Sequence, residues 1–306
     1  MPISYASIGD LTVPEILNRE IELLLADRAS LRNLGYLVNV GDITGSNSNT
    51  IKVGYAGLDG YNEMAAVAEG SDAPEPGLTD GSQTVVVARQ AITYSEYDLT
   101  NLILANGNVD VERLAASIVG DAEARFTSMV CGVIDDFTQT SGTTGTDFTF
   151  AKFQSAIYTL ERAPAPTAEL VAVLAPIQLT DLQSDVTGLT GVMQWQPASA
   201  EMIQAKGQGF QGRLLGVDVY KSSKVVTVGG DRKGGMWHRG AVLMAEGTPK
   251  PLLIPGIARE LGAKIQVTFG YNNAKALQSV TGNYYVGVAR SVPNDTLGVT
   301  LISSAT

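Results

Sequence analysis

Residues 109–139, VDVERLAASIVGDAEARFTSMVCGVIDDFTQ, contain the pattern that decides the fold. Apolar residues recur there every three or four positions, which is the spacing of one face of an α-helix. These residues are Val111, Leu114, Ile118, Ala122, Phe126, Met129, Val133 and Phe137. A helix over this range would be about 45 Å long, much longer than the average globular helix. Gly120 and Gly132 each lower helix stability by about 1 kcal/mol, so we expect them to mark close backbone contacts.

Two predicted strands precede this helix and enclose an irregular acidic segment. Residues 50–55 (TIKVGY) alternate in the manner of a strand. Residues 83–100 (QTVVVARQAITYSEYDLT) are rich in β-branched and aromatic side chains, which indicates one longer strand. A two-stranded ribbon is marginal in water, and its edges favour pairing with another chain. We therefore predict a long ribbon that lies against a neighbouring subunit.

The first 49 residues have the features of an arm. Thr12 and Glu15 have the spacing of a capping box, and apolar residues between positions 16 and 31 recur at helical spacing. Residues 41–49 (GDITGSNSN) predict a loop. The chain begins without the basic and apolar segments of a signal peptide. The sequence contains no run of about 18 apolar residues, so it predicts no membrane span.

Helices and strands alternate after the long helix. We predict helix starts at Thr149, Thr180 and Ser199, and a polar loop at residues 229–235 (GGDRKGG). The predicted strands are residues 169–175, 214–220, 241–245, 265–269 and 284–289. The sequence has no repeat with a period of about 20–50 residues, which argues against a solenoid or a propeller. The pattern predicts an α+β fold.

The composition limits the classes of partner. The chain has 306 residues, a formal net charge of -10, one cysteine (Cys131) and one histidine (His238). An acidic chain is a poor sequence-independent binder of nucleic acid, because Lys and Arg supply the affinity for phosphate. It can still enclose nucleic acid without gripping it. A single cysteine excludes an intrachain disulfide framework.

The sequence predicts no catalytic, cofactor or metal site. His238 has no nucleophile motif beside it, and one His with one Cys cannot complete a common zinc site. Residues 207–212 (GQGFQG) match G-x-G-x-x-G, but a helix is predicted before them and a strand after them, the reverse of a dinucleotide site. Asp135 and Asp136 are adjacent on the helix, so their carboxylates do not converge. An α/β enzyme whose glycine-rich loop holds a ligand is kept as an alternative.

The order of these segments resembles the Hong Kong 97-like capsid fold of tailed bacteriophages over nearly the whole chain. That family combines an N-terminal arm, an extended loop, a long spine helix, a peripheral domain and an axial domain. The resemblance assigns residues 1–49 to the arm, 50–100 to the extended loop, 101–163 and 236–290 to the peripheral domain with the spine helix at 109–139, and 164–235 and 291–306 to the axial domain. Residues 209–219 also resemble a "GxLxGxPV"-like pattern of such proteins, with Asp218 where proline is common.

The resemblance implies a non-enzymatic major capsid protein that assembles into hexamers and pentamers of an icosahedral phage head. The head would enclose double-stranded DNA without binding it specifically, would be assembled in the host cytoplasm and would remain part of the virion. A separate scaffolding protein and a portal are the expected partners, and no membrane is involved. The alternatives are the shell protein of an encapsulin-like nanocompartment and a phage tail component.

Charged residues are the candidate subunit contacts. No lysine lies between Lys52 and Lys152, so an isopeptide crosslink at the loop tip, as in the founding member of the family, is not expected. We predict instead that acidic residues of the extended loop dock on a basic surface of the neighbouring subunit. The acidic candidates are Asp59, Glu63, Glu69, Asp72, Glu75 and Asp80, and the basic candidates are Arg162, Arg213 and Arg232.

Overall fold

The computed structural model describes residues 36–44, 48–58, 66–67, 69, 72, 78–97, 111–162, 170–188, 195–207, 209–248, 265–292 and 295–304. The helices within these ranges are α1 (Val111–Asp135), α2 (Phe150–Arg162), α3 (Pro176–Gly188) and α4 (Ala200–Lys206). The strands are β1 (Val38–Asp42), β2 (Thr50–Leu58), β3 (Leu78–Val86), β4 (Ala88–Tyr97), β5 (Gln139–Gly142), β6 (Leu170–Leu174), β7 (Gln196–Pro197), β8 (Phe210–Leu214), β9 (Val217–Lys221), β10 (Val226–Val228), β11 (Asp231–His238), β12 (Val242–Glu246), β13 (Ile265–Asn272), β14 (Leu277–Arg290) and β15 (Gly298–Ser304). The predicted N-terminal helix lies outside the described residues.

An eight-stranded mixed sheet occupies one side of the molecule, in the order β5-β15-β11-β6-β9-β8-β7, with β10 paired to the start of β11. The β5–β15 and β6–β9 pairs are parallel. Helices α2 and α3 cover one face, and their apolar residues, including Phe153, Leu160 and Leu182, form a core with that face. Every residue of β6 is buried, because the strand lies in the middle of the sheet between helices. This agrees with the continuous apolar run of residues 170–175, and the strand predicted for residues 169–175 is confirmed as β6.

A five-stranded sheet occupies the other side, in the order β1-β12-β14-β13, with β4 on the second edge of β14. Strand β1 is parallel to β12, and the other pairs are antiparallel. Strand β14 is 14 residues long, so it pairs with β12 and β13 in succession. The predicted strands at residues 241–245, 265–269 and 284–289 are confirmed as parts of β12, β13 and β14.

Helix α1 lies between the two sheets and joins their cores. One buried cluster contains Ile118 and Ile134 of α1, Trp237 of the eight-stranded sheet and Val267 of the five-stranded sheet. Burying a large apolar side chain contributes about 1.5–3 kcal/mol, so α1 holds each sheet through several such contacts. The predicted long helix is confirmed, although its last turn is shorter than expected.

Helix α1 ends at Asp135 and not at residue 139. The amides of Asp136 and Phe137 donate to carbonyls three residues earlier, which tightens the end of the helix. The chain then enters β5 at Gln139, which pairs with Val299. The apolar spacing continues through Phe137 because that side chain packs in the same core, although its backbone is no longer helical.

Two glycines let α1 approach the sheets. A Cβ atom on Gly235 of β11 would lie 2.1 Å from Ile134 Cγ2, and one on Gly282 of β14 would lie 2.7 Å from Ile118 Cγ2. The close contacts between helix and sheet therefore depend on glycines in the strands. The expectation that Gly132 marks such a contact was wrong, since nothing lies within 4 Å of a Cβ built there.

The predicted ribbon forms from β2 and β3, which pair antiparallel from Thr50 with Val86 to Leu58 with Leu78. The single long strand predicted for residues 83–100 is instead divided. Strand β3 ends at Val86, and β4 begins at Ala88 in the five-stranded sheet. Val87, between them, is buried with Leu243, and its amide donates to the Asn49 carbonyl at 2.8 Å.

Two hairpins of the eight-stranded sheet differ from the elements that the sequence predicted there. The strand predicted for residues 214–220 turns at Leu215-Gly216, because Leu214 pairs with Val217 across a two-residue loop. The polar loop predicted for residues 229–235 is short: Gly229 and Gly230 form the turn, and β11 begins at Asp231.

The helix starts are confirmed at two of the three predicted positions. Ser199 accepts a hydrogen bond from the Met202 amide at 3.2 Å and caps α4. Helix α2 begins directly after Thr149. The start at Thr180 was wrong, because α3 already begins at Pro176, a residue suited to a first helical turn. None of the described helices is long and apolar enough to cross a membrane.

Candidate functional site

The acidic candidates of the extended loop fall into two groups. Glu69 and Asp72 are described and exposed, at positions between the two strands of the ribbon. Asp80 lies on β3 opposite Ala56. Asp59, Glu63 and Glu75 lie outside the described residues, as does the side chain of Asp80.

The three candidate arginines do not form one basic surface. Arg162 is the exposed last residue of α2. Arg213 of β8 lies at the end of the eight-stranded sheet where β6 begins, since its partner Asp218 is in register with Val171. Arg232 is the second residue of β11 and lies at the opposite end, where its Nη1 donates to Thr227 Oγ1 at 2.5 Å. The acidic loop's docking surface on a neighbour stays a prediction.

Arg213 belongs to a buried ionic cluster centred on Asp218, which is only 3% exposed. Arg213 Nε donates to Asp218 Oδ1 at 2.9 Å. Lys206 Nζ and the Tyr36 hydroxyl both donate to Asp218 Oδ2. Lys206 Nζ also lies 4.9 Å from the centroid of the Phe210 ring, within cation–π range. Three donors from three segments therefore replace the water that the carboxylate loses on burial.

These contacts keep the carboxylate of Asp218 charged. Burial by itself would raise its pKa, but the hydrogen bonds from Lys206, Tyr36 and Arg213 together lower the pKa below its ordinary value. Burial, followed by the hydrogen bond to Asp218, raises the pKa of the Tyr36 hydroxyl, so this group remains a donor at neutral pH. The arrangement is suited to holding segments together, because each charge is already engaged inside the subunit.

Through Tyr36, this cluster connects the two sheets. Its hydroxyl is bound to Asp218 of β9, and its carbonyl accepts a hydrogen bond from Trp237 Nε1 at 3.0 Å. Two residues later the chain enters β1, which pairs with β12 of the five-stranded sheet. Residues 36–42 thus cross from one sheet to the other, in addition to the bridge that α1 provides.

An open groove of about 440 Å³ runs between α1 and the five-stranded sheet. Its polar side chains include Asp121, which accepts a hydrogen bond from Tyr94, and Arg125, whose Nε donates to Gln90 Oε1 at 2.9 Å. Ile118 and Tyr284 supply part of its apolar lining. These hydrogen bonds are made within the chain and join α1 to β4. The polar groups of the groove therefore stabilise the packing of the helix on the sheet.

Residue types that serve catalysis or ligand binding in other proteins make structural contacts in this chain. His238 Nδ1 accepts a hydrogen bond from the Gly240 amide at 3.3 Å and caps a short 3-10 turn. Gly207 ends α4, and β8 begins at Phe210, which confirms the reversed order of helix and strand around the glycine-rich string. Among the described residues, no group of three or more His, Cys, Asp or Glu side chains could hold a metal ion.

Sequence reasoning missed the partners of Asp218. A charged residue between Val217 and Val219, both fully or almost fully buried, is the signal that a partner must lie nearby. The sequence does not identify Tyr36 as one of these partners, because Tyr36 is 182 positions away in the chain.

Two sheets joined by a long helix, with a ribbon before it, make a fold that is similar to the Hong Kong 97-like fold of solved phage capsids. The capsid of Ralstonia phage GP4 is similar to this chain with a TM-score of 0.60 at 13% identity, over 89% of this chain and 87% of that one. The capsid of cyanophage P-SCSP1u has a TM-score of 0.57 at 12% identity, over 91% of this chain and 89% of that one. The SrpI encapsulin of Synechococcus elongatus PCC 7942 has a TM-score of 0.56 at 16% identity, over 88% of this chain and 86% of that one.

No protein-family model and no curated protein matches the sequence. At identities of 12–16%, the likeness to the solved structures establishes the fold. Coverage of nearly nine-tenths of each chain means that the likeness concerns the whole fold and not one sheet.

Proposed function

We propose that this chain is the major capsid protein of a tailed bacteriophage, a structural subunit and not an enzyme. Copies of it assemble into hexamers and pentamers of an icosahedral head that encloses double-stranded DNA. The observation that carries the proposal is the likeness to the capsid of Ralstonia phage GP4 over 89% of this chain.

The ribbon supports assembly with other copies. Among the described residues, β2 and β3 pair only with each other, so both outer edges keep unpaired backbone groups. Such edges pair readily with another chain. Acidic Glu69 and Asp72 at its exposed end are suited to a basic surface on the neighbour. The ribbon is the proposed extended loop of residues 50–100.

The two sheets correspond to the two proposed domains. The five-stranded sheet is the peripheral domain, and the eight-stranded sheet is the axial domain. The packing of α2 against β6 and β15, and the central position of β11, support placing α2, β5 and β11 in the axial domain. The proposed boundary between the domains near residue 163 would then lie at the end of α1, and the proposed boundary near residue 236 would lie at the end of β11. Residues 1–49 remain the proposed arm.

The acidic charge fits a container that encloses DNA without specific binding. A net charge of -10 repels phosphate weakly and leaves the packaged DNA free to leave. The head would be assembled in the host cytoplasm with a separate scaffolding protein and a portal, and the chain would remain in the virion.

The alternative is the shell protein of a cellular nanocompartment, and the likeness to the SrpI encapsulin favours keeping it. The two functions use the same fold and differ in content. A nanocompartment would contain a cargo protein, whereas a phage head would contain DNA and carry a portal at one vertex.

Negative-stain electron microscopy of the purified chain, alone and with the scaffolding protein from the same genome, tests the proposal. We expect uniform hollow spheres or rings of five and six copies. A chain that stays monomeric under both conditions would refute the shell function. Shells that co-purify with one enzyme and are never found in phage particles would favour the nanocompartment.

A further inference from the structure

Two hairpins of the eight-stranded sheet use the same turn with different residues. The β10–β11 hairpin turns at Gly229 and Gly230, with φ angles of 61° and 88°. The β8–β9 hairpin turns at Leu215 and Gly216, with φ angles of 51° and 84°. Both are two-residue turns with positive φ at each position, as in the type I′ turn.

Leucine is an unfavourable residue for the first position of this turn. A side chain with a Cβ atom is strained at positive φ, which is why asparagine, aspartate and glycine predominate there. At the equivalent position of the other hairpin the chain has Gly229, which avoids the strain. A strained residue of this kind persists where it serves another purpose.

Folding of the hairpin itself does not explain the choice of leucine. Leu214 and Val217, on either side of the turn, are each 1% exposed and anchor the hairpin in the core. Leu215 is 40% exposed and belongs to none of the buried clusters. The turn thus combines backbone strain with an apolar residue that remains 40% exposed, and the strain and this exposed area do not stabilise the isolated subunit.

We infer that Leu215 contacts a second copy of this chain and that the β8–β9 tip is a subunit contact. The inference rests on the proposed shell function, because a shell surrounds each copy with identical neighbours. The charged residue nearest to Leu215 in the sequence, Arg213, is already bound to Asp218 at 2.9 Å. An approaching copy therefore meets an apolar tip beside a paired charge, which is compatible with burial at an interface.

Substitution of Leu215 separates a role within the subunit from a role between subunits. Leu215→Asn and Leu215→Gly both supply residues that the turn prefers. The matched controls are Gly229→Asn, which changes the same turn position of the other hairpin, and Val228→Ser, which removes a 48% exposed apolar side chain beside it. For each full-length variant, light scattering and electron microscopy give the threshold concentration of assembly. Circular dichroism below that threshold gives the Tm of the free subunit.

We expect Leu215→Asn and Leu215→Gly to raise the assembly threshold at least tenfold while the Tm of the free subunit stays equal or rises by a few degrees. Both controls should stay within twofold of the wild-type threshold. A Leu215→Asn variant that assembles at the wild-type threshold overturns the inference and leaves the shell function standing. A lower Tm together with weaker assembly also overturns it, because Leu215 would then act within the subunit.

The wild-type chain distinguishes failure of the inference from failure of the proposed function. Wild-type chain that forms small oligomers but no shell refutes the shell function. The inference is then judged by the dissociation constant of those oligomers, which Leu215→Asn should raise at least tenfold. Wild-type chain that never self-associates, even with the scaffolding protein, overturns both.

Discussion

At the scale of single residues, the contact between Gly235 and α1 sets how closely helix and sheet can approach. Ile134 is 1% exposed, and its Cγ2 occupies the space where a Cβ of residue 235 would lie, at 2.1 Å. Relief would require movement of α1 or of β11, and β11 is held by strands on both sides. The cost of a methyl group there is therefore an overpacking cost and not a loss of contact.

We expect Gly235→Ala to lower the free energy of unfolding by about 1–3 kcal/mol, the usual cost of overpacking a core. Gly132→Ala on the exposed side of α1 is the control, since nothing lies within 4 Å of the added atom. It should stabilise the helix by up to about 1 kcal/mol. Urea denaturation of the unassembled chain measures both. Equal stability of Gly235→Ala and wild type would contradict the close packing.

The Asp218 cluster predicts a dependence of stability on pH. The pKa of Asp218 is lowered in the folded chain, so its stabilising effect is complete above the ordinary value of about 3.9 and is lost as the pH falls through the lowered pKa. Asp218→Asn leaves Lys206 and Arg213 without their partner and should cost about 1–3 kcal/mol at neutral pH. The variant should lose less additional stability than wild type as the solution is acidified.

Tyr36→Phe is the matched control for that prediction. It removes one hydrogen bond and should cost about 0.5–1.5 kcal/mol. Because the pKa of Tyr36 is raised, its hydroxyl is neutral throughout the acid range and adds no pH dependence of its own. Tyr36→Phe should keep most of the acid-dependent loss of the wild type, because Lys206 and Arg213 still lower the pKa of Asp218. Thermal unfolding measured from neutral pH down to about pH 2 distinguishes them, and identical profiles for wild type and Asp218→Asn would count against the cluster.

At the scale of elements, the ribbon is anchored in the subunit core by Val85, whereas the acidic residues Glu69 and Asp72 between its strands are exposed. Glu69 and Asp72 are exposed, so reversing their charge should leave the folded subunit intact. We expect the double variant Glu69→Lys, Asp72→Lys to keep the wild-type Tm and to raise the assembly threshold severalfold, because the loop no longer matches a basic neighbour. Glu161→Lys, at an exposed position of α2, is the control. Unchanged assembly of the double variant would mean that these charges do not dock.

Elements with a strong period are predictable from the sequence, and α1 and β6 are examples. Helix α1 repeats apolar residues over seven turns, and β6 is a short apolar run, so the pattern leaves few alternatives. The division of residues 83–100 at Val87 could not be predicted, because Val87 continues the strand pattern and is separated only by pairing with distant segments. The turn at Leu215 could not be predicted either, because the residue is one that such turns avoid.

The same contrast applies to the candidate site. The acidic character of residues 57–81 is visible in composition, and the two described members of the set are exposed. Arg213 was chosen for its charge alone, and the structure gives that charge an internal partner in Asp218. Pairing between residues on β8 and β9 depends on the hairpin turn, and that turn was itself hidden from the sequence.

At the scale of the whole molecule, the absence of lysine between Lys52 and Lys152 predicts a shell held by non-covalent contacts. Assembled particles boiled in detergent should give a single band near 32.2 kDa on a denaturing gel. A ladder of multimers would refute this. Particles treated with a lysine-reactive crosslinker before boiling are the positive control for the detection of such a ladder.

The two sheets share a core through α1 and are fastened a second time by residues 36–42. Within the part of the chain that the structure describes, these two connections limit bending between the two sheets. In the proposed shell, the same chain must fit rings of five and rings of six, which differ in curvature. That difference in angle would have to be absorbed at the joints between subunits and in the ribbon and arm, while the body of each subunit keeps one shape at every position in the lattice.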